Sequence, residues 1–218
     1  MCAYDRTEIA RQITLAALGN IQKYTDSEDY ELILVDNDPI AKELYQKYQC
    51  IRADKHIVIA DIGYSASMNL GAKESNSEFE YICFIHNDVF VWEGWLPKLI
   101  EELDRKQIDV IVPSQGHLTR EQIKDSYKNL DTRLDNDAGI MLMKKETFAN
   151  VGGWDDRFGS VYHDGAYRKK IMQKGYILAP TSQVVITHLG WITLGQDQDK
   201  FEKLRTEEGS IYDNLIYK

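Results

Sequence analysis

Two short apolar runs in this 218-residue chain each end in side chains able to bind ligands or cations. Residues 81–85 (YICFI) lead into His86, Asn87 and Asp88, and residues 31–35 (ELILV) lead into Asp36 and Asn37. A brief apolar run closed by turn-forming residues is the mark of a buried strand. In open α/β sheets, ligands sit just beyond the carboxyl ends of the strands. Imidazole, amide and carboxylate groups at that place face a common crevice if the two strands are neighbours. The same residues also suit turns and helix caps. Either cluster alone reads as a turn; the two together favour a site.

The elements that must carry these groups follow from hydrophobic spacing. Helices are expected over residues 7–24, 40–48, 65–73, 94–104, 145–151 and 164–174, where apolar residues recur at helical intervals. Strands are expected over residues 31–35, 56–60, 81–85, 110–113, 139–143 and 184–188. Strands alternating with helices predict an α/β fold with a Rossmann-type mixed, mostly parallel sheet flanked by helices. Residues 1–195 form one expected domain. Residues 196–218 form a tail, either a helix packed on the domain or a lid or homodimer contact carrying Lys200 or Lys203 toward a ligand.

Bulk properties narrow the partners. The net charge of −9 argues against a nucleic-acid polymer, whose binding relies on Lys and Arg. Three cysteines without CxxC spacing suit reduced thiols in a cytoplasmic protein. No apolar run reaches the ~18 residues of a membrane span, which leaves only peripheral membrane contact.

Seven segments together resemble glycosyltransferase family 2, nucleotide-sugar enzymes of the GT-A fold. They are residues 2–6 (CAYDR), 33–37 (ILVDN), 63–71 (GYSASMNLG), 84–89 (FIHNDV), 139–159 (GIMLMKKETFANVGGWDDRFG), 162–171 (YHDGAYRKKI) and 187–191 (THLGW), in the family's order. The resemblance implies transfer of a sugar from a nucleoside diphosphate donor (UDP-, GDP- or dTDP-linked) to a glycan or other hydroxyl acceptor, with inversion. It implies a Mn2+ or Mg2+ cofactor held by Asp88 and His188, which would neutralise the diphosphate. It places Ala3, Tyr4, Arg6, Asp36, Asn69 and Asn87 on the nucleotide. His86, Asp137, Trp154 and Asp155 fall on the donor or acceptor sugar, with Trp154 offering a flat ring face. Asp164 would be the general base; an N-cap role is the simpler alternative for it.

The chain departs from the family pattern in three places. His86 replaces the first acid of an Asp-x-Asp, His163 replaces the Glu of a Glu-Asp pair, and only Met1, Cys2 and Ala3 precede Tyr4. These departures keep open a catalytically inactive nucleotide- or glycan-binding module. A nucleotidyltransferase would need a Gly-rich basic loop after the first strand, and CAYDRTEIA has none.

Overall fold

The computed structural model describes residues 1–3, 7–37, 53–116, 132–133, 139–159, 161–190 and 198–217. The expected helix at 40–48 and the candidate residues Tyr4, Arg6 and Asp137 lie outside them.

Three strands, β1 (Cys2–Ala3), β2 (Ile33–Asp36) and β3 (Lys55–Val58), form a parallel sheet in the order β1-β2-β3. Helix α1 (Glu8–Tyr24) follows β1, and the Ala10 N–H donates to the Oγ1 of its cap Thr7 at 3.1 Å. A second sheet runs β4 (Tyr81–Ile85), β8 (Ile140–Lys144), β6 (Val110–Gly116), β9 (Leu178–His188) and β5 (Val89–Phe90), with β7 (Thr132–Arg133) paired to β6. Within it β6 and β9 are parallel, whereas β4–β8, β6–β8, β5–β9 and β6–β7 are antiparallel. A parallel bridge between Cys2 and His86 joins the two sheets, so β1 lies between β2 and β4.

Side-chain alternation assigns each helix to a face. Ile111, Ile140 and Leu142 pack with Leu18 of α1 and Leu99 of α3 (Trp95–Lys106). Their neighbours Val110, Met141 and Met143 turn to the opposite face, toward Met68 of α2 (Tyr64–Lys73), Val151 of α4 (Lys145–Val151) and Tyr167 of α5 (His163–Gln173). Each fully buried aliphatic side chain contributes about 2 kcal/mol. A third cluster joins Phe158 and Ala166 to Leu215, which follows helix α6 (Gln198–Asp213).

The fold is a mixed α/β architecture with helices on both faces. Periodicity did not show β5 or β7, and it began β9 at 184 when it starts at Leu178. Three exposed positions, Pro180, Ser182 and Gln183, break the apolar run over that first half.

Candidate functional site

The sheet order brings the three groups of one cluster together. Val89 of β5 pairs with His188, the last residue of β9, which sets Asp88 against the His188 ring. Asp88 Oδ1 lies 3.1 Å from His188 Nε2, and His86 Nδ1 lies 3.3 Å from the same nitrogen. Gly139 makes this approach possible: a Cβ there would sit 2.8 Å from Val89 and 3.2 Å from the imidazole of His188. His188 Nδ1 is 3.0 Å from Gln115 Oε1, which can only accept a hydrogen. Nδ1 therefore carries the hydrogen, and Nε2 presents its lone pair or a second proton to Asp88 and His86.

Burial pushes the Asp88 carboxyl upward, but the hydrogen bond and charge of His188, with the charge of His86, hold it below the ordinary carboxylate range. An ionised carboxylate and an imidazole nitrogen facing each other at this separation are bridged by a proton or by a cation. The ligating atoms of His86, Asp88 and His188 all lie within 4.8 Å of one another. Two imidazoles and one carboxylate fit Mn2+ well and Mg2+ less well, because Mg2+ favours oxygen ligands. Gln115 would tune a cation held there through its contact with His188. Gln115→Leu is expected to lower Mn2+ affinity about 10- to 100-fold, measured by calorimetry.

A second group adjoins the first through His86. Its Nε2 is 3.7 Å from Asp164 Oδ2, and His163 Nε2 is 3.5 Å from Asp164 Oδ1. Asp164 is 6% exposed and stands in the first turn of α5, where the helix dipole favours a negative charge. Tyr64 packs beside both imidazoles, with ring centroids 4.0 Å from His163 and 5.1 Å from His86. The turn that leads into α5 is held from outside the family-like segments. The N–H groups of Gly159, Val161 and Tyr162 donate to the buried carboxylate of Glu208 in α6 at 2.9, 3.0 and 3.1 Å.

The remaining candidates are placed as follows. Ala3 is fully buried opposite Asp36. Asp36 is fully buried at the end of β2, with Oδ2 3.3 Å from His56 Nε2. The Asn87 amide donates to Thr14 Oγ1 at 2.8 Å, so it anchors α1 behind the sheet end. Asn69 is a clamp: its Oδ1 accepts from Trp154 N at 2.8 Å, and its Nδ2 donates to Trp154 O at 3.0 Å and Asp156 Oδ1 at 2.8 Å. Gly153, at φ +73°, lets that clamp close, because a Cβ would sit 2.8 Å from Asn69 Oδ1.

One expected role is corrected. Trp154 offers no open ring to a sugar, since it is 3% exposed, stacked on Tyr167 at 4.3 Å and flanked by Phe84 and Tyr64. It belongs to the apolar floor beneath His163.

Asp155 points toward the C-terminal segment. It pairs with Arg157 at 2.6 Å and accepts from the Tyr217 hydroxyl at 2.8 Å. Burial raises its carboxyl, yet Arg157 and Tyr217 outweigh burial and leave it below the ordinary range. A carboxyl depressed on folding adds stability above its unfolded value, and that stability is lost as pH falls through the folded value. Thermal midpoints are therefore expected to drop below about pH 4, and Tyr217→Phe should drop less between neutral and acid pH.

Sequence reasoning missed Gln115, Tyr64, Thr14, His56 and Glu208 as partners. Only Gln115 carried a usable signal, as a polar residue closing the apolar run of β6.

Residues 1–174 match the model of the family described as Glycosyl transferase family 2. Among solved structures, S. aureus TarS 1–349 is similar with a TM-score of 0.61 at 12% identity, over 85% of this chain and 59% of that one. GalNAc-T7 with UDP, GalNAc and Mn2+ is similar with a TM-score of 0.62 at 13% identity, over 86% of this chain and 42% of that one. This chain thus spans 59% and 42% of those two lengths, and at such identities the likeness is one of fold. Among curated proteins no relative matches. With the strand order and the family match in agreement, the fold is GT-A and the chain belongs to glycosyl transferase family 2.

Proposed function

We propose that the chain transfers a sugar from a nucleoside diphosphate donor to a hydroxyl acceptor, with inversion. The observation that carries this reading is the convergence of Asp88, His86 and His188 with Asp164 at one end of the sheet, through the contacts of His86 to both sides. His86, Asp88 and His188 would hold a divalent cation, Mn2+ in preference to Mg2+. When bound, the cation supplies charge neutralisation for the diphosphate and the leaving group. Ala3 and Asp36, at the ends of the parallel strands, flank the nucleotide; Tyr4 and Arg6 take the same role. Asp137 and Asp155 are assigned to the sugars. Asp164 accepts the proton of the acceptor hydroxyl as the new glycosidic bond forms, while the nucleoside diphosphate leaves from the opposite side of the anomeric carbon.

The test is release of nucleoside diphosphate from a panel of UDP-, GDP- and dTDP-sugars, with Mn2+ and with EDTA. Metal-dependent release from one donor supports the proposal. A second reading, a binding module without turnover, draws on the burial of Asp164 and the covered Trp154 ring. It would show metal-dependent nucleotide binding by calorimetry and no release with any acceptor.

A further inference from the structure

The group of His86, His163 and Asp164 holds more than the proposed reaction uses. A proton acceptor needs one carboxylate, and here two imidazoles flank it. The ligating atoms of the three side chains all lie within 4.8 Å of one another. Both imidazoles stand where the chain departs from the family pattern, His86 in place of an Asp and His163 in place of a Glu. Each departure exchanges oxygen donors for nitrogen donors.

The spacing suits a small cation. Asp164 turns Oδ2 toward His86 Nε2 at 3.7 Å and Oδ1 toward His163 Nε2 at 3.5 Å, so a cation between the rings meets the carboxylate on either oxygen. Adjacent ligands of a tetrahedral Zn2+, with bonds of about 2.0 Å, stand about 3.3 Å apart, and small side-chain movements reach that spacing. Two imidazoles and one carboxylate with a fourth position open make a donor set of zinc. The Asp88 group, at 3.1 and 3.3 Å, is drawn more closely, as the smaller ligand angles of six-coordination require.

His86 belongs to both groups through opposite nitrogens. Its Nδ1 faces His188, and its Nε2 faces Asp164. A neutral imidazole carries a hydrogen on one nitrogen and a lone pair on the other. A cation beside Asp88 needs the lone pair on Nδ1, and a cation beside Asp164 needs it on Nε2. One tautomer cannot serve both.

We infer that His86, His163 and Asp164 form a second cation site, which takes Zn2+, competes with the Asp88 group for His86 and inhibits turnover. Zn2+ there engages the Asp164 carboxylate, which then no longer accepts a proton. The binding rests on the geometry alone; the inhibition rests on the proposed role of Asp164 as base.

The experiment uses the full chain with no nucleotide or sugar. Zn2+ is titrated by calorimetry, and bound Mn2+ is followed by electron paramagnetic resonance. His163→Phe is expected to weaken Zn2+ binding about tenfold or more. At Zn2+ concentrations that fill the wild-type site, Mn2+ affinity should fall about tenfold in the wild type and less than about twofold in His163→Phe. His163→Gln, a polar replacement, serves as the second variant, and thermal midpoints of both check that they fold. Zn2+ binding unchanged by either variant overturns the inference. So does equal loss of Mn2+ to Zn2+ in wild type and variants, because Zn2+ then occupies the Asp88 group. The expected binding in a chain that releases no nucleoside diphosphate from any donor supports the site and overturns its inhibitory role, with the failure traced to the proposed reaction.

Discussion

Asp164→Asn is expected to lower kcat for nucleoside diphosphate release about 10²- to 10⁴-fold, with nucleotide affinity unchanged within about twofold. The substitution keeps the shape of the side chain and its compatibility with the first turn of α5. What it removes is a group that can accept a proton. Asp164 meets the cluster of His86, Asp88 and His188 through His86, at 3.7 Å, so the groups proposed to hold the diphosphate stay in place. Steady-state release assays, paired with calorimetric nucleotide titration, separate the two effects. An unchanged kcat would move the base to another residue.

Glu208→Ala should cost about 3 kcal/mol of stability and lower the thermal midpoint by about 6–12 °C. The buried carboxylate accepts three backbone N–H groups from one turn, and alanine leaves all three without that acceptor. That turn delivers His163 and Asp164 to the site, so kcat should fall along with stability. The neighbouring exposed Glu207, which faces Lys203 at 4.0 Å, is the control. Glu207→Ala should leave the midpoint within about 1–2 °C, because exposed ion pairs contribute little. Scanning calorimetry on both variants reads the difference.

Much of this site was legible before any coordinates. Asp36, His86, Asp88 and His188 follow apolar strands, and a strand end in an α/β sheet is where polar groups gather. The parallel first sheet and both helical layers also follow from periodicity. What could not be read were the pairings. Asn87 meets Thr14 across 73 positions, and His188 meets Gln115 across another 73. A polar residue's nearest companion at such separations depends on strand order, and hydropathy does not encode strand order. The antiparallel pairs of the second sheet are hidden for the same reason. Alternating strands and helices suggested parallel neighbours, while β8 runs against both β4 and β6. Trp154 was misassigned because an aromatic in a Gly-rich stretch has the same local signature whether its ring lines a cleft or fills the core.

The position of β9 has a consequence for biosynthesis. It is the last strand of the chain among the described residues, yet it lies between β6 and β5. β5 has β9 as its partner, so the backbone beside Asp88 gains its support only after residue 188 has left the ribosome. The cluster of His86, Asp88 and His188 therefore assembles only after β9 has emerged, and a nascent chain stalled before β9 should carry a formed first sheet and no assembled cluster.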